Sequence, residues 1–241
     1  TDYPDIVTIQ IPVQTGSRNE IEPGKTGFAH FFEHMMFRGT EKYPADVYAD
    51  ILKKAGADQN AYTSSDLTNY HITFTKEDLE KILEIEADRF QNLSYSEDVF
   101  RTEALAVKGE YLKNFSNPIQ KLVERISDLM YSRHTYKHTT MGFIEDIEAM
   151  PDQIEYSHTF FDRWYRPEKT AVILVGDVQD EICHYLTEHQ ASILLLGAPR
   201  GTTAELLGDD AVERFAARIM DNSGVAVQVI RPETIMDEDE L

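Results

Sequence analysis

Val7, Ile9, Ile11 and Val13 are separated by single residues, Thr8, Gln10 and Pro12. That period of two marks a half-buried strand within Thr1 to Gln14. Past Gly24 the apolar spacing becomes helical. Thr26 stands where a helix cap belongs, Gly27 would open the first turn, and Gly39 can end the helix in a left-handed conformation. Phe31, Met35 and their apolar neighbours surround this helix, so it should be buried. A second helix is expected over Ala45 to Ala55. Asp58–Ser64 and Asp66–Tyr70 then flank a turn and read as a hairpin running to about Thr75. Thr75 with Asp78 opens a long acidic helix to about Leu93, with Leu79, Ile82, Leu83 and Phe90 on its apolar side and its acidic faces in solvent. Further helices are expected over Ser96 to Phe115, from Asn117-Pro118 to about Tyr131, and over Asp152 to Trp164, before a strand from Ala171 to Val175. Mixed elements with antiparallel hairpins give an α+β fold, a largely antiparallel sheet covered by helices.

After Asp177 the character changes. Ser192–Leu196 reads as a strand and Gly197 to Thr203 as a glycine-rich loop; Asp209 to Asp221 reads as a helix, Gly224 as a turn and Val225–Ile230 as a strand. Two domains are expected, 1–178 and an atypical βαβ-like tail, 179–241, with an acidic end from Asp237 to Leu241.

Composition narrows the classes. The 241 residues are 41% hydrophobic, enough for one large domain or two small ones. No apolar run approaches the roughly 18 residues that a membrane span needs. One cysteine, Cys183, excludes an internal disulfide and a thiolate zinc site. With 43 acidic and 23 basic residues the net charge is −20, which argues against nucleic acid and anionic membranes as partners. A soluble chain is expected, cytoplasmic or periplasmic, and composition does not choose between them.

The chemistry is concentrated in His30-Phe31-Phe32-Glu33-His34. On a helix, residues four apart lie one above the other, so His30 and His34 share a face and Glu33 falls within the same arc of roughly 100°. Hydrolytic zinc needs protein ligands, an open position for water and a base for the water's proton. Two imidazoles and a carboxylate on one buried face suit that need, with a third ligand from elsewhere. The pattern H-x-x-E-H is the inverzincin signature.

Together with Gly16-Ser17-Arg18-Asn19-Glu20, Pro23-Gly24-Lys25-Thr26-Gly27 and Met35-Met36-Phe37-Arg38-Gly39-Thr40, this run resembles the pitrilysin or insulinase family of zinc metallopeptidases. Asp58–Ser64, His134-Thr135-Tyr136, Met141-Gly142, Tyr165-Arg166-Pro167 and Val172–Asp177 extend the resemblance over roughly residues 5 to 178. It implies Zn²⁺ as cofactor and Glu33 as catalytic base. It also implies a third ligand about 76 residues beyond the second histidine, where Glu110 stands, and another glutamate seven before that, Glu103. Glu103 would orient a ligating histidine. Asn60, Ala61 and Tyr62 would lie on a sheet edge to which the backbone of an extended or unfolded peptide adds itself.

Two departures qualify this expectation. The family's first strand would precede Asp2-Tyr3-Pro4, and no counterpart of its second domain, which closes over the substrate, is expected in the residues after Asp177. The chain is therefore expected to need a second homologous domain, subunit or homodimer partner. The rival is a non-hydrolytic zinc-binding subunit or truncated remnant, and the abrupt change suggests a fused or truncated reading frame. The tail resembles the end of universal stress proteins, whose glycine loop can hold ATP phosphates. The unlike spacing of Gly197, Gly201 and Gly208 favours plain turns, and His184 and His189 read as stray polar residues.

Overall fold

The alternation at the amino end becomes strand β1 (Ile6–Val13), whose Val7, Ile9, Ile11 and Val13 are buried. The computed structural model describes residues 5–176, 193–197, 211–224 and 226–230. The chain divides into two compact units, Thr1–Gly176 and Asp177–Leu241.

In the first unit, β1 pairs along its whole length with β3 (Thr68–Thr75), from Ile6 opposite Thr75 to Val13 opposite Thr68. The hairpin partner β2 (Asp58–Thr63) pairs with the other side of β3, and β4 (Ile173–Val175) pairs with β1. The antiparallel sheet runs β2-β3-β1-β4, so β2 is an edge strand among the described residues. Tyr70, Ile72 and Phe74 of β3 are buried with the apolar row of β1.

Helix α1 (Phe28–Met35) is buried through Phe28, Phe31, Phe32 and Met35. Phe32 stacks on Phe160 at 5.3 Å, Phe31 meets Phe100 edge-on at 5.0 Å, and the Tyr70 hydroxyl donates to the Phe32 carbonyl at 3.1 Å. The helix is shorter than the expected stretch to Gly39. Its hydrogen bonds end in a turn through Arg38, and Gly39 follows at φ +87°, where a Cβ would lie 2.6 Å from backbone atoms of Tyr43 and Ala45.

Around this centre lie α2 (Ala45–Lys54), α3 (Leu79–Asn92), α4 (Glu97–Asn114), α5 (Pro118–Met130), α6 (Ile144–Ala149) and α7 (Ile154–Trp164). Local caps set two starts. Ser96 accepts from the Val99 N–H, and Asn117 accepts from the Ile119 N–H with Pro118 in the first turn. Thr75 does not cap α3. A 3₁₀ turn, Lys76–Asp78, intervenes, and Thr75 bonds to the Asp78 side chain instead.

The expectation that the acidic faces of α3 are solvated fails at Glu86. Glu86 and Arg89 are buried and paired at 2.5 Å. The Tyr48 hydroxyl donates to Glu86, and the Arg89 guanidinium sits within 5.5 Å of the ring centres of Phe37, Tyr48, Tyr70 and Phe90. Burial, the largest single effect, would lower the Arg89 pKa, but the charge and hydrogen bond of Glu86 together with Tyr48 and Tyr70 outweigh it and raise it instead.

In the second unit β5 (Ile193–Gly197) and β6 (Ala226–Ile230) pair in parallel, with α8 (Ala211–Ser223) between them in sequence. A parallel pair requires such a crossover. Gly224, at φ +70°, ends α8. The glycine-rich loop beyond Gly197, Gly208, Cys183, His184, His189 and the acidic end lie outside the described residues.

Candidate metal centre

The start of α1 is fixed from a distance. Thr26 does not cap the helix; its hydroxyl donates to Asp146 at 2.6 Å and accepts from the Phe143 N–H at 2.8 Å. Gly27 takes φ +92° at the cap position, with Met141 backbone 3.0 Å from where a Cβ would be. The orphan amides are met by Glu20, whose two oxygens accept from the Gly27 N–H at 2.8 Å and the Ala29 N–H at 2.7 Å. Burial pushes the Glu20 carboxyl up to about 8, against the pull of those amides. His138 lies beside it, with Nδ1 3.7 Å from Glu20 and donating to the Thr139 carbonyl at 3.0 Å.

One turn into α1, His30 and His34 face α4, with ring centres 4.8 Å apart. The seven-residue spacing on α4 presents both glutamates to them. Glu103 accepts from His34 Nδ1 at 2.9 Å, which leaves Nε2 with its lone pair. Glu110 Oε2 lies 3.4 Å from His34 Nε2 and 3.7 Å from His30 Nε2. Burial and the neighbouring His34 lower the His30 pKa, favouring the neutral imidazole. The Glu103 hydrogen bond, outweighing burial, raises that of His34. Glu103 would be raised by its burial, but His34 and the Arg38 guanidinium paired with its other oxygen hold it low.

The donor set fits zinc. Two imidazole nitrogens and a carboxylate oxygen lie within 4.8 Å of one another, the one such group of three among the described residues. The separations from Glu110 exceed a normal hydrogen bond, yet ligand atoms about 2.0–2.2 Å from a tetrahedral ion are about 3.3–3.6 Å apart. The buried His30 Nδ1 has no hydrogen-bond partner among the described residues, and Nε2 is the nitrogen that faces Glu110.

Beside this cluster is an open cleft of about 370 Å³ lined by His30, Glu33, Tyr62, Thr63, Glu110, Asn114, Gln120 and the 139–141 segment, among others. Tyr62 is half exposed there. Asn60 and Ala61 lie on the same edge strand without lining the cleft; the Asn60 side chain accepts from the Ala61 N–H at 2.9 Å. Sequence reasoning missed Arg38, Thr63 and Glu20. Arg38 stands four residues after His34, a spacing that could have flagged it. The Thr63 hydroxyl donates to Glu33 Oε2 at 2.6 Å, a contact 30 positions apart with no local signal.

The chain belongs to the insulinase family, peptidase family M16, whose family model matches residues 1–143. It is 33% identical to the zinc protease PqqE of Helicobacter pylori over 177 residues, 73% of this chain and 39% of that protein. It is 27% identical to the uncharacterized zinc protease YmxG of Bacillus subtilis over 176 residues, 72% of this chain and 42% of the relative. Among solved structures, a protease from Helicobacter pylori superposes with a TM-score of 0.72 at 27% identity, covering 81% of this chain and 52% of that one. The first half of the periplasmic protease PqqL from Escherichia coli gives 0.62 at 22% identity, covering 96% and 44%, a likeness of fold. The chain spans less than half the length of the curated relatives it matches. No helix among the described residues is long and apolar enough to cross a membrane.

Proposed function

We propose that this chain carries the zinc site of a metalloendopeptidase, with His30, His34 and Glu110 as ligands and Glu33 as base. The observation that carries the reading is the meeting of three ligand atoms, at separations too long for hydrogen bonds, beside the Glu33 carboxylate in an open cleft. When bound, zinc supplies a Lewis acid that lowers the pKa of water toward neutrality and polarises a carbonyl. Glu33 takes the proton of the attacking water and returns it to the leaving amine. Glu103 orients His34, and the His34 hydrogen bond and the Arg38 charge hold the Glu103 pKa low.

The substrates are extended or unfolded peptides. Edge strand β2 offers main-chain groups to an added strand near Asn60 and Ala61, and Tyr62 stands between that edge and the cleft. Such a grip reads backbone more than side chains.

A specific observation favours a second reading, that the chain binds zinc but needs a homologous second domain, subunit or second copy to hydrolyse. The apolar residues Ile119, Leu122, Val123 and Ile126 of α5 are 44–60% exposed, while Gln120 of the same helix lines the cleft.

Glu33→Gln separates binding from chemistry. It keeps size and polarity but cannot accept the proton, so bound zinc should persist while hydrolysis of a quenched peptide falls by about a hundredfold or more. Undiminished hydrolysis in that variant would mean that another base operates.

A further inference from the structure

Thr63 ends the edge strand β2 opposite Thr68, next to a turn held by the Ser64 hydroxyl, which donates to the Leu67 carbonyl at 3.0 Å and accepts from the Leu67 N–H at 3.1 Å. The Thr68 hydroxyl is buried and donates its single proton to the Thr15 carbonyl at 2.9 Å. It has none left for Thr63, 3.4 Å away. The Thr63 proton is thus free to go to Glu33 Oε2, at 2.6 Å. Among the described residues this is the one side-chain hydrogen bond that the Glu33 carboxylate accepts.

We propose that Thr63 is a positioning residue: its hydroxyl fixes the Glu33 carboxylate through Oε2, leaves Oε1 for the proton, and ties the base to the strand on which a peptide would lie. This rests on the hydrolytic reading above. The physical reason is geometric. A carboxylate held by one short hydrogen bond loses its rotation about the terminal torsion, which is broad when unrestrained. A base must be within hydrogen-bond reach of its proton, and a displacement of about 1 Å can cost on the order of a hundredfold in rate. The anchor is also on the peptide-pairing strand, so a peptide that orders β2 orders the base with it.

The test compares wild type, Thr63→Val, Thr63→Ser and Glu33→Gln in bound zinc, crystal structure and turnover of a quenched peptide. Valine keeps the shape of threonine without the donor; serine keeps the donor. Zinc should be equal in all four. In Thr63→Val the Glu33 carboxylate should leave its wild-type position, and kcat should fall on the order of tenfold to a hundredfold with KM changed less than about twofold. Thr63→Ser should restore both. A Glu33 carboxylate that stays in place in Thr63→Val overturns the proposal, whether or not the chain hydrolyses peptide. Unchanged kcat in an otherwise active Thr63→Val does so too. A wild type without zinc, or full hydrolysis in Glu33→Gln, contradicts the underlying peptidase reading instead, and the crystal comparison still decides the role of Thr63.

Discussion

At the scale of the residue, the candidate site is a set of ordinary groups given particular work by their neighbours. Two imidazoles on one helix face differ because His30 is buried with no partner for Nδ1 among the described residues, while His34 donates from Nδ1 to Glu103. Glu20 is the sharper case. Its carboxyl, ordinarily near 4.5, is pushed up to about 8 by burial. The folded chain therefore holds a proton that the unfolded chain releases between those values. The stability it contributes is full below pH 4.5 and is lost as pH rises toward 8. Glu20→Gln removes that dependence but turns one acceptor oxygen into an NH₂ group facing a backbone N–H. With metal chelated, the variant should be less stable than wild type in urea near pH 4.5, by about 1–3 kcal/mol, and the gap should close as pH rises to 8. A constant difference across that range would show that Glu20 stays ionised under the helix amides. The residues of the H-x-x-E-H pattern were legible because helical period places them together. Glu20 was not, because a cap reaching seven to nine positions along a loop leaves no spacing rule to read.

At the scale of the element, local signals set most boundaries and tertiary contacts set the exceptions. The alternation of Val7 to Val13 gave β1, the serine cap gave α4, and the Asn117-Pro118 pair gave α5. Strand, helix and strand were legible in the tail, where β5, α8 and β6 lie within two residues of the expected bounds. Helix α3 misled because Glu86 and Arg89 are charged, yet with Leu79 and Ile82 they fall at i, i+3, i+7 and i+10 on the buried stripe. Amphipathic reasoning assigns charge to water and overlooks a pair that satisfies itself. Removing one member leaves the other buried and uncompensated, so Arg89→Ala should cost about 3–5 kcal/mol. Urea unfolding measures it; a loss under about 1 kcal/mol would mean that water reaches Glu86 and the pair adds little.

At the scale of the whole molecule, the proposed ligands, base and edge strand face an open cleft. Orientation of the reacting groups can be worth roughly 7–11 kcal/mol of a barrier, and an open cleft would forfeit part of it. The chain alone should cleave a quenched peptide slowly or not at all, and turnover per chain should rise with protein concentration or on adding a matching second domain. Dilute chain that cleaves as fast as the assembled pair would make it a complete enzyme. Beneath that question lies the metal itself. Elemental analysis of the purified chain should find about one zinc per molecule, removed by chelator, with affinity at least about tenfold weaker in His30→Ala and in Glu110→Gln. Wild type without zinc, or equal zinc in both variants, would contradict the assignment of His30, His34 and Glu110 as its ligands.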